Sequence, residues 1–279
     1  MRALAGRRPR VELGGAVLVT AFGVLYAPVL RALVARWAEV PYYSYGFLVP
    51  VFSLYLAWDA RHELARRPLV PSPVGGLGLL AAGLAVRAAG ALADSLTIQT
   101  LSLPVVAAGA LVLLLGRARA RVLAFPLGFL ACMAPLPDGA LPALSRPLQH
   151  LAAGVGEWIL WFVGVPVSRD GLYLALPSVT LHITEACNGL RFLLAMLVVG
   201  VAFAAMTQNA WRRRALVVAG ALAAALVANW LRIAGTGMLA ELYGHEAATG
   251  TAHLVWGKLV YAGMLVPFTM LVVALKRSS

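Results

Sequence analysis

Long apolar runs broken by short polar clusters set the frame of this chain. The runs at residues 13–30, 74–93, 96–115, 189–205, 215–233 and 254–275 each approach the roughly 20 residues that carry a helix across a hydrocarbon core of about 30 Å. Two shorter runs, 47–58 and 122–133, complete eight expected spans; Pro126 lies inside the second, and Pro135 and Pro137 stop it. Residues 141–165 differ. They are long enough to span, but Arg146, Gln149, His150 and Glu157 fall near one face at helical spacing, the pattern of an amphipathic helix lying in the membrane interface. Residues 172–176 and 179–184 alternate with period two around Pro177 and Ser178, after a turn signal at Asp170-Gly171, and predict a short β-hairpin. Between the first two runs, Trp37, Tyr42, Tyr43, Tyr45 and Phe47 gather as aromatic residues do at a membrane surface. A turn is expected at Asp94-Ser95, and a loop holding Gly244, His245, Glu246 and Gly250 leads to His253.

Composition agrees with this pattern. The chain is 61% hydrophobic and 12% charged, against about 45–50% and about 25% for soluble domains. The expected fold is therefore an all-α polytopic membrane protein of about eight transmembrane helices, with an outer interfacial amphipathic helix and a short β-hairpin. Residues 1–279 are expected to form a single membrane domain. The net charge of +12 sits in short clusters between apolar runs; this is the positive-inside pattern and not a nucleic-acid surface. Cys132 and Cys187 make no disulfide framework. Arg7, Arg8 and Arg10 precede an apolar run without a small-residue cleavage site, so the run reads as a retained span and not a cleaved leader.

Parity of the basic clusters gives a topology. With the N-terminus cytosolic, Arg61/Arg66/Arg67, Arg117/Arg119/Arg121, Arg212/Arg213/Arg214 and Lys276/Arg277 all fall inside only if residues 141–165 stay in the outer interface. Arg31 and Arg36 are then left outside. The expectation is a multi-pass protein of the plasma (inner) membrane with both termini cytosolic. Cys187, Arg232 and His253 then fall at the outer ends of their helices, at one depth.

Those three residues carry the candidate chemistry. Thr184 reads as a helix N-cap, and Glu185 suits the positive end of the dipole. Cys187 would lie in the first turn, where the same dipole favours a thiolate. Arg191, four residues on, faces the same side. Arg232, three residues after Asn229, is a charge within an apolar helix, costly there unless paired or snorkelling. A thiol, a histidine and an arginine supply a nucleophile, a proton carrier and an oxyanion or carboxylate partner. Each also has a bland alternative. A lone cysteine is often an inert filler, an arginine near a span end often snorkels, and a lone histidine often caps. Arg87, with Asp94 above it, and Lys258 read as snorkelling residues. Spacing alone does not bring three helices together.

Several segments resemble the exosortase/archaeosortase family of membrane cysteine transpeptidases. Residues 43–50 resemble the family's early Ser-x-Gly segment, and residues 125–137 its Pro-rich middle segment. Glu185-Ala186-Cys187-Asn188-Gly189-Leu190-Arg191 matches the nucleophile motif, with Asn188 where serine is usual; Asn229-Trp230-Leu231-Arg232-Ile233 matches the N-x-x-R motif, and His253 the third position. The resemblance implies Cys187 as nucleophile, with Arg232 and His253 as its catalytic partners and Glu185, Asn188, Arg191 and Asn229 in support. It implies exported substrates with C-terminal sorting signals of the PEP-CTERM kind (a short motif, a membrane helix and a basic tail). These are cleaved on the outer face through a thioester and passed to a membrane lipid or other acceptor, often alongside exopolysaccharide production. No cofactor, metal or nucleic acid is expected, and the oligomeric state is left open. Two rivals stand beside this reading. One is a non-enzymatic scaffold or component of exopolysaccharide export. The other is a transporter, which would place intramembrane polar residues in paired, symmetric segments; the sequence has no such symmetry.

Overall fold

The computed structural model of the chain describes residues 8–244, 246–247 and 250–277. Arg7, read as part of the cytosolic basic end, and His245, read as a loop residue, lie outside the described residues. The chain forms two compact units, one up to Pro137 and one from Asp138 onward. Among the described residues six helical stretches are long and apolar enough to cross a membrane: Gly14–Glu39, Pro73–Leu92, Leu96–Leu115, Glu185–Thr207, Trp211–Tyr243 and Thr251–Lys276. They match six of the eight expected runs and make the chain a multi-pass integral membrane protein. The second and fifth expected runs are short helices instead.

In the first unit, α1 (Arg8–Glu39) leads through a 3-10 segment (Pro41–Phe47) into α2 (Leu48–Asp59) and α3 (Arg61–Arg66). Next come α4 (Pro73–Leu92), α5 (Leu96–Leu115), α6 (Arg117–Val122), α7 (Ala124–Phe129) and a 3-10 turn (Leu130–Met133). At 12 residues, α2 rises only about 18 Å, short of a hydrocarbon core of about 30 Å. It packs on α7, where the Ser53 hydroxyl donates to the Pro126 carbonyl at 2.8 Å. The aromatic cluster is not a surface belt: Trp37, Tyr43 and Tyr45 are buried, and the Trp37 indole donates to the Met133 carbonyl at 3.2 Å. α4 and α5 form an antiparallel hairpin through the Asp94-Ser95 turn. Gly76, Gly83 and Gly90 recur every seven residues along α4, and a Cβ on them would come within 2.6–2.7 Å of Leu113, Val106 and Gln99. Such small-residue seams let apolar helices approach where lipid gives no hydrophobic drive to associate.

The second unit holds α8 (Ala140–Phe162), strands β1 (Ser168–Asp170), β2 (Tyr173–Ala175) and β3 (Thr180–His182), then α9 (Leu190–Thr207), α10 (Trp211–Tyr243) and α11 (Thr251–Arg277). α10 is the central helix and packs against α8, α9 and α11. α8 is amphipathic as expected, but Gln149 lies on its buried face with Ser145, Ala152 and Gly156. Arg146 and His150 are exposed, and Glu157 accepts a hydrogen bond from Arg169 of β1 at 2.9 Å.

The expected hairpin is present, with Leu174 opposite Leu181, and β1 extends it to three antiparallel strands in the order β1-β2-β3. Leu174, Leu176 and Ile183 of this sheet share a core with Ala152, Ala153 and Leu160 of α8 and with Ile233 and Ala234 of α10. The Ser178 hydroxyl, at the β2–β3 turn, donates to Glu241 of α10 at 2.7 Å. The sheet therefore anchors the chain against two helices just before Cys187.

Candidate active site

The Ile183 N–H still donates to the Leu172 carbonyl at 2.9 Å, so strand pairing runs up to Thr184. Glu185–Cys187 is one 3-10 turn, with the Cys187 N–H on the Thr184 carbonyl at 2.9 Å. α9 begins only at Leu190. Cys187 is thus not in the first turn of the helix, as its sequence predicts, but in the turn that precedes it. Thr184 does not cap with its side chain; its hydroxyl donates to Cys187 Sγ at 3.7 Å.

Gly189 causes the displacement. It is left-handed (φ +78°), and a Cβ there would lie 2.8 Å from the Asn229 amide. Any L side chain would be strained in that conformation and would push α10 away. Asn188, just outside the helix, closes an Asx turn onto its first residue. Its Oδ1 accepts from the Leu190 N–H at 2.8 Å, while its Nδ2 donates to Ser145 Oγ of α8 at 2.6 Å. A serine at this position would be too short to make both contacts.

α10 grips the same turn by its backbone. Asn229, 1% exposed, donates from Nδ2 to the Cys187 carbonyl at 2.9 Å. One turn on, Arg232 donates from Nη2 to the Ala186 carbonyl at 3.1 Å and to Asn229 Oδ1 at 3.2 Å. The Tyr261 hydroxyl of α11 also donates to Asn229 Oδ1, at 3.2 Å. Its ring stacks on Phe192 of α9 with centroids 3.4 Å apart. Two successive carbonyls of the turn that carries Cys187 are thereby fixed from the central helix.

α11 is registered on α10 around Arg232. The Trp256 indole donates to the Arg232 carbonyl at 3.2 Å. Its ring sits on Gly235, where a Cβ would overlap it, and Gly257 faces Arg232 Cδ. Thr236 donates to the Arg232 carbonyl at 2.8 Å, and its oxygen lies 3.0 Å from His253 Nδ1. His253 thus comes within electrostatic range of Arg232.

Arg232 is not at a helix end, as expected, because α10 continues about three turns to Tyr243. These bonds join it to the turn that carries Cys187 and, through Thr236, to His253. Among the described residues it has no carboxylate partner, and its Nε is buried without one. A half-buried cation without a carboxylate partner, hydrogen-bonded to the turn that carries a thiol, is suited to meet an anion that forms or binds there.

A family model for transmembrane exosortases matches residues 37–270, a span that includes Cys187, Arg232 and His253. The chain belongs to the transmembrane exosortase family. It is therefore a member of a family of membrane-embedded protein-sorting enzymes, which in general are cysteine transpeptidases acting on C-terminal sorting signals. No curated protein and no solved structure matches the chain.

In this exosortase-family chain hydrogen bonds join Asn229 to Cys187 and to Arg232, and His253 to Arg232 through Thr236, while Asn188 bonds to Ser145 and Leu190. Glu185 and Arg191 lie exposed beside the turn; the Arg191 guanidinium is 6.0 Å from the Phe192 ring centroid. Among the described residues no three His, Cys, Asp or Glu side chains are grouped as metal ligands would be. Sequence reasoning missed Ser145, Thr236, Trp256 and Tyr261. The available signal was helical spacing: Thr236 lies four residues after Arg232, and Trp256 and Tyr261 lie three and eight after His253.

Proposed function

We propose that this family member cleaves C-terminal sorting signals of exported proteins with Cys187 as nucleophile, on the outer face of the membrane, with both termini cytosolic. The substrate carries a short recognition motif of the PEP-CTERM kind, a membrane helix and a basic tail. The Cys187 proton passes to His253, and the thiolate attacks the carbonyl carbon of the scissile peptide. The oxyanion that forms meets the Arg232 charge. As the C–N bond breaks, His253 returns the proton to the leaving amine, and the tail fragment departs. The exported protein remains as a thioester on Cys187. An amine or hydroxyl of a membrane lipid or other acceptor then attacks that thioester and gives its proton to His253; the C–S bond breaks, the acylated acceptor leaves, and His253 returns the proton to the Cys187 sulfur, while water in the same place gives hydrolysis.

The observation that supports this reading best is the grip of α10 on the nucleophile turn. Asn229 and Arg232 hold the carbonyls of Cys187 and Ala186 at 2.9 and 3.1 Å. An inert filler cysteine would not need its backbone held by a charged residue inside an apolar helix, where charge is costly. The test is accumulation of unprocessed, signal-bearing protein in cells lacking the wild-type enzyme and carrying variants at matched membrane levels. His253→Ala is expected to lose about 10²–10⁴-fold, the usual contribution of a general acid–base. Normal processing by both His253→Ala and Cys187→Ser would leave the chain a scaffold in polysaccharide export.

A further inference from the structure

Thr236 has one hydroxyl proton and two neighbours that compete for it. The Arg232 carbonyl, at 2.8 Å from Thr236 Oγ1, can only accept. The proton therefore goes there, in the i to i−4 bond that threonine makes inside helices. His253 Nδ1, at 3.0 Å from the same oxygen, is left facing a lone pair. A bond across that distance requires the histidine to donate, so Nδ1 carries a hydrogen and the neutral ring has its lone pair on Nε2.

We propose that Thr236 is a positioning residue that holds His253 as its Nδ1–H tautomer and makes Nε2 the nitrogen that exchanges protons with Cys187 and the leaving amine. This deepens the proposed function and rests on it. Thr236 occupies the place that a carboxylate holds in the Ser-His-Asp arrangement, where the third group sets the tautomer and orientation of the base. A neutral hydroxyl does this without bringing a negative charge beside Arg232. The bond also survives turnover, because Nδ1 keeps its hydrogen in both the neutral and the protonated ring and only Nε2 gains and loses one. Three further contacts hold the pair in register: Trp256 on the Arg232 carbonyl, Gly235 under the Trp256 ring, and Gly257 against Arg232. Thr236 itself is buried at 8% exposure, so water does not readily replace its hydroxyl.

The experiment uses the full-length protein in lipid bilayers with ¹⁵N-histidine, and the His253 signals are assigned by their loss in His253→Gln. The wild type and Thr236→Ser are expected to show Nδ1 protonated and Nε2 bare in the neutral ring, and Thr236→Val a shift toward the other tautomer. In the processing assay Thr236→Val is expected to lose about 10- to 1,000-fold, less than the roughly 10⁴-fold cost of a wrong tautomer in a serine-protease triad. Thr236→Ser should restore most of that rate. An Nε2–H tautomer in the wild type would overturn the proposal. So would wild-type processing by Thr236→Val while Cys187→Ser is inactive, a result that leaves the proposed function standing. Normal processing by Cys187→Ser and His253→Ala would instead defeat the proposed function, whatever the tautomer.

Discussion

The side-chain amide of Asn229 donates to the main-chain carbonyl of Cys187 at 2.9 Å. A residue in the middle of the central helix thus sets the backbone of the candidate nucleophile. The same side chain accepts from Arg232 and Tyr261, so it links α10, α11 and the turn before α9 at a single buried point.

Replacing Asn229 by Ala leaves the Cys187 carbonyl, an Arg232 N–H and the Tyr261 hydroxyl each short of a partner. Each buried group left unpaired costs about 1–3 kcal/mol. The expected outcome is a lower thermal midpoint of the purified protein and slowed processing. Asn229→Asp is expected to be worse for processing, because a carboxylate oxygen then faces the Cys187 carbonyl where a donor stood. Wild-type processing by Asn229→Ala would show that the turn holds its shape without α10.

Arg232→Lys keeps the charge and removes the planar fork that reaches Ala186 and Asn229 together. A large loss of processing is expected. Arg87→Lys is the control. Arg87 lies on α4, where its Nε is buried without a partner, and a change there is expected to be mild. Equal and mild effects of the two changes would reduce Arg232 to a snorkelling residue.

Asn188→Ser restores the residue usual in the family motif. Its hydroxyl can still accept from the Leu190 N–H, but it cannot reach Ser145 as the amide does at 2.6 Å. The variant is expected to fold and to process a few-fold more slowly, whereas Asn188→Ala also loses the bond to the Leu190 N–H, a buried group whose loss of a partner costs about 1–3 kcal/mol. Processing by Asn188→Ala at the wild-type rate would remove Asn188 from the site.

The proposed topology makes Ser178 external and Asn209 cytosolic, and both are exposed. Single cysteines at these positions in a cysteine-free background are to be treated with a membrane-impermeant thiol reagent. Ser178→Cys should label in intact cells, and Asn209→Cys only after permeabilisation. Labelling of Asn209→Cys in intact cells would invert the orientation. Gln208, next to it, is unsuitable because it is buried at 1% exposure.

Much of this was legible in the apolar pattern. Six runs became helices of spanning length, and the alternation at 172–184 became β2 and β3. Ser168–Asp170 escaped notice because three polar residues carry no alternation; pairing with β2 alone makes them a strand. The start of α9 was misplaced because Thr184 and Glu185 carry cap chemistry, while the left-handed Gly189 that delays the helix is dictated by the approach of Asn229 from a distant segment. The run expected to end at Ile233 continues as α10 to Tyr243, where Glu241 accepts a hydrogen bond from Ser178. Cys187, Arg232 and His253 were legible as motif residues. Their junction through Asn229 and Thr236 was not, because it depends on the relative rotation of three helices.

The central claim is that Cys187 is the nucleophile, and the most direct measurement is processing of a signal-bearing protein by Cys187→Ser in cells without the wild-type enzyme. An alcohol at this position is barely ionised where a thiol is partly so. The prediction is near-complete accumulation of the uncleaved precursor, with Cys132→Ala processing normally at the same membrane level. Normal cleavage by Cys187→Ser would contradict the account.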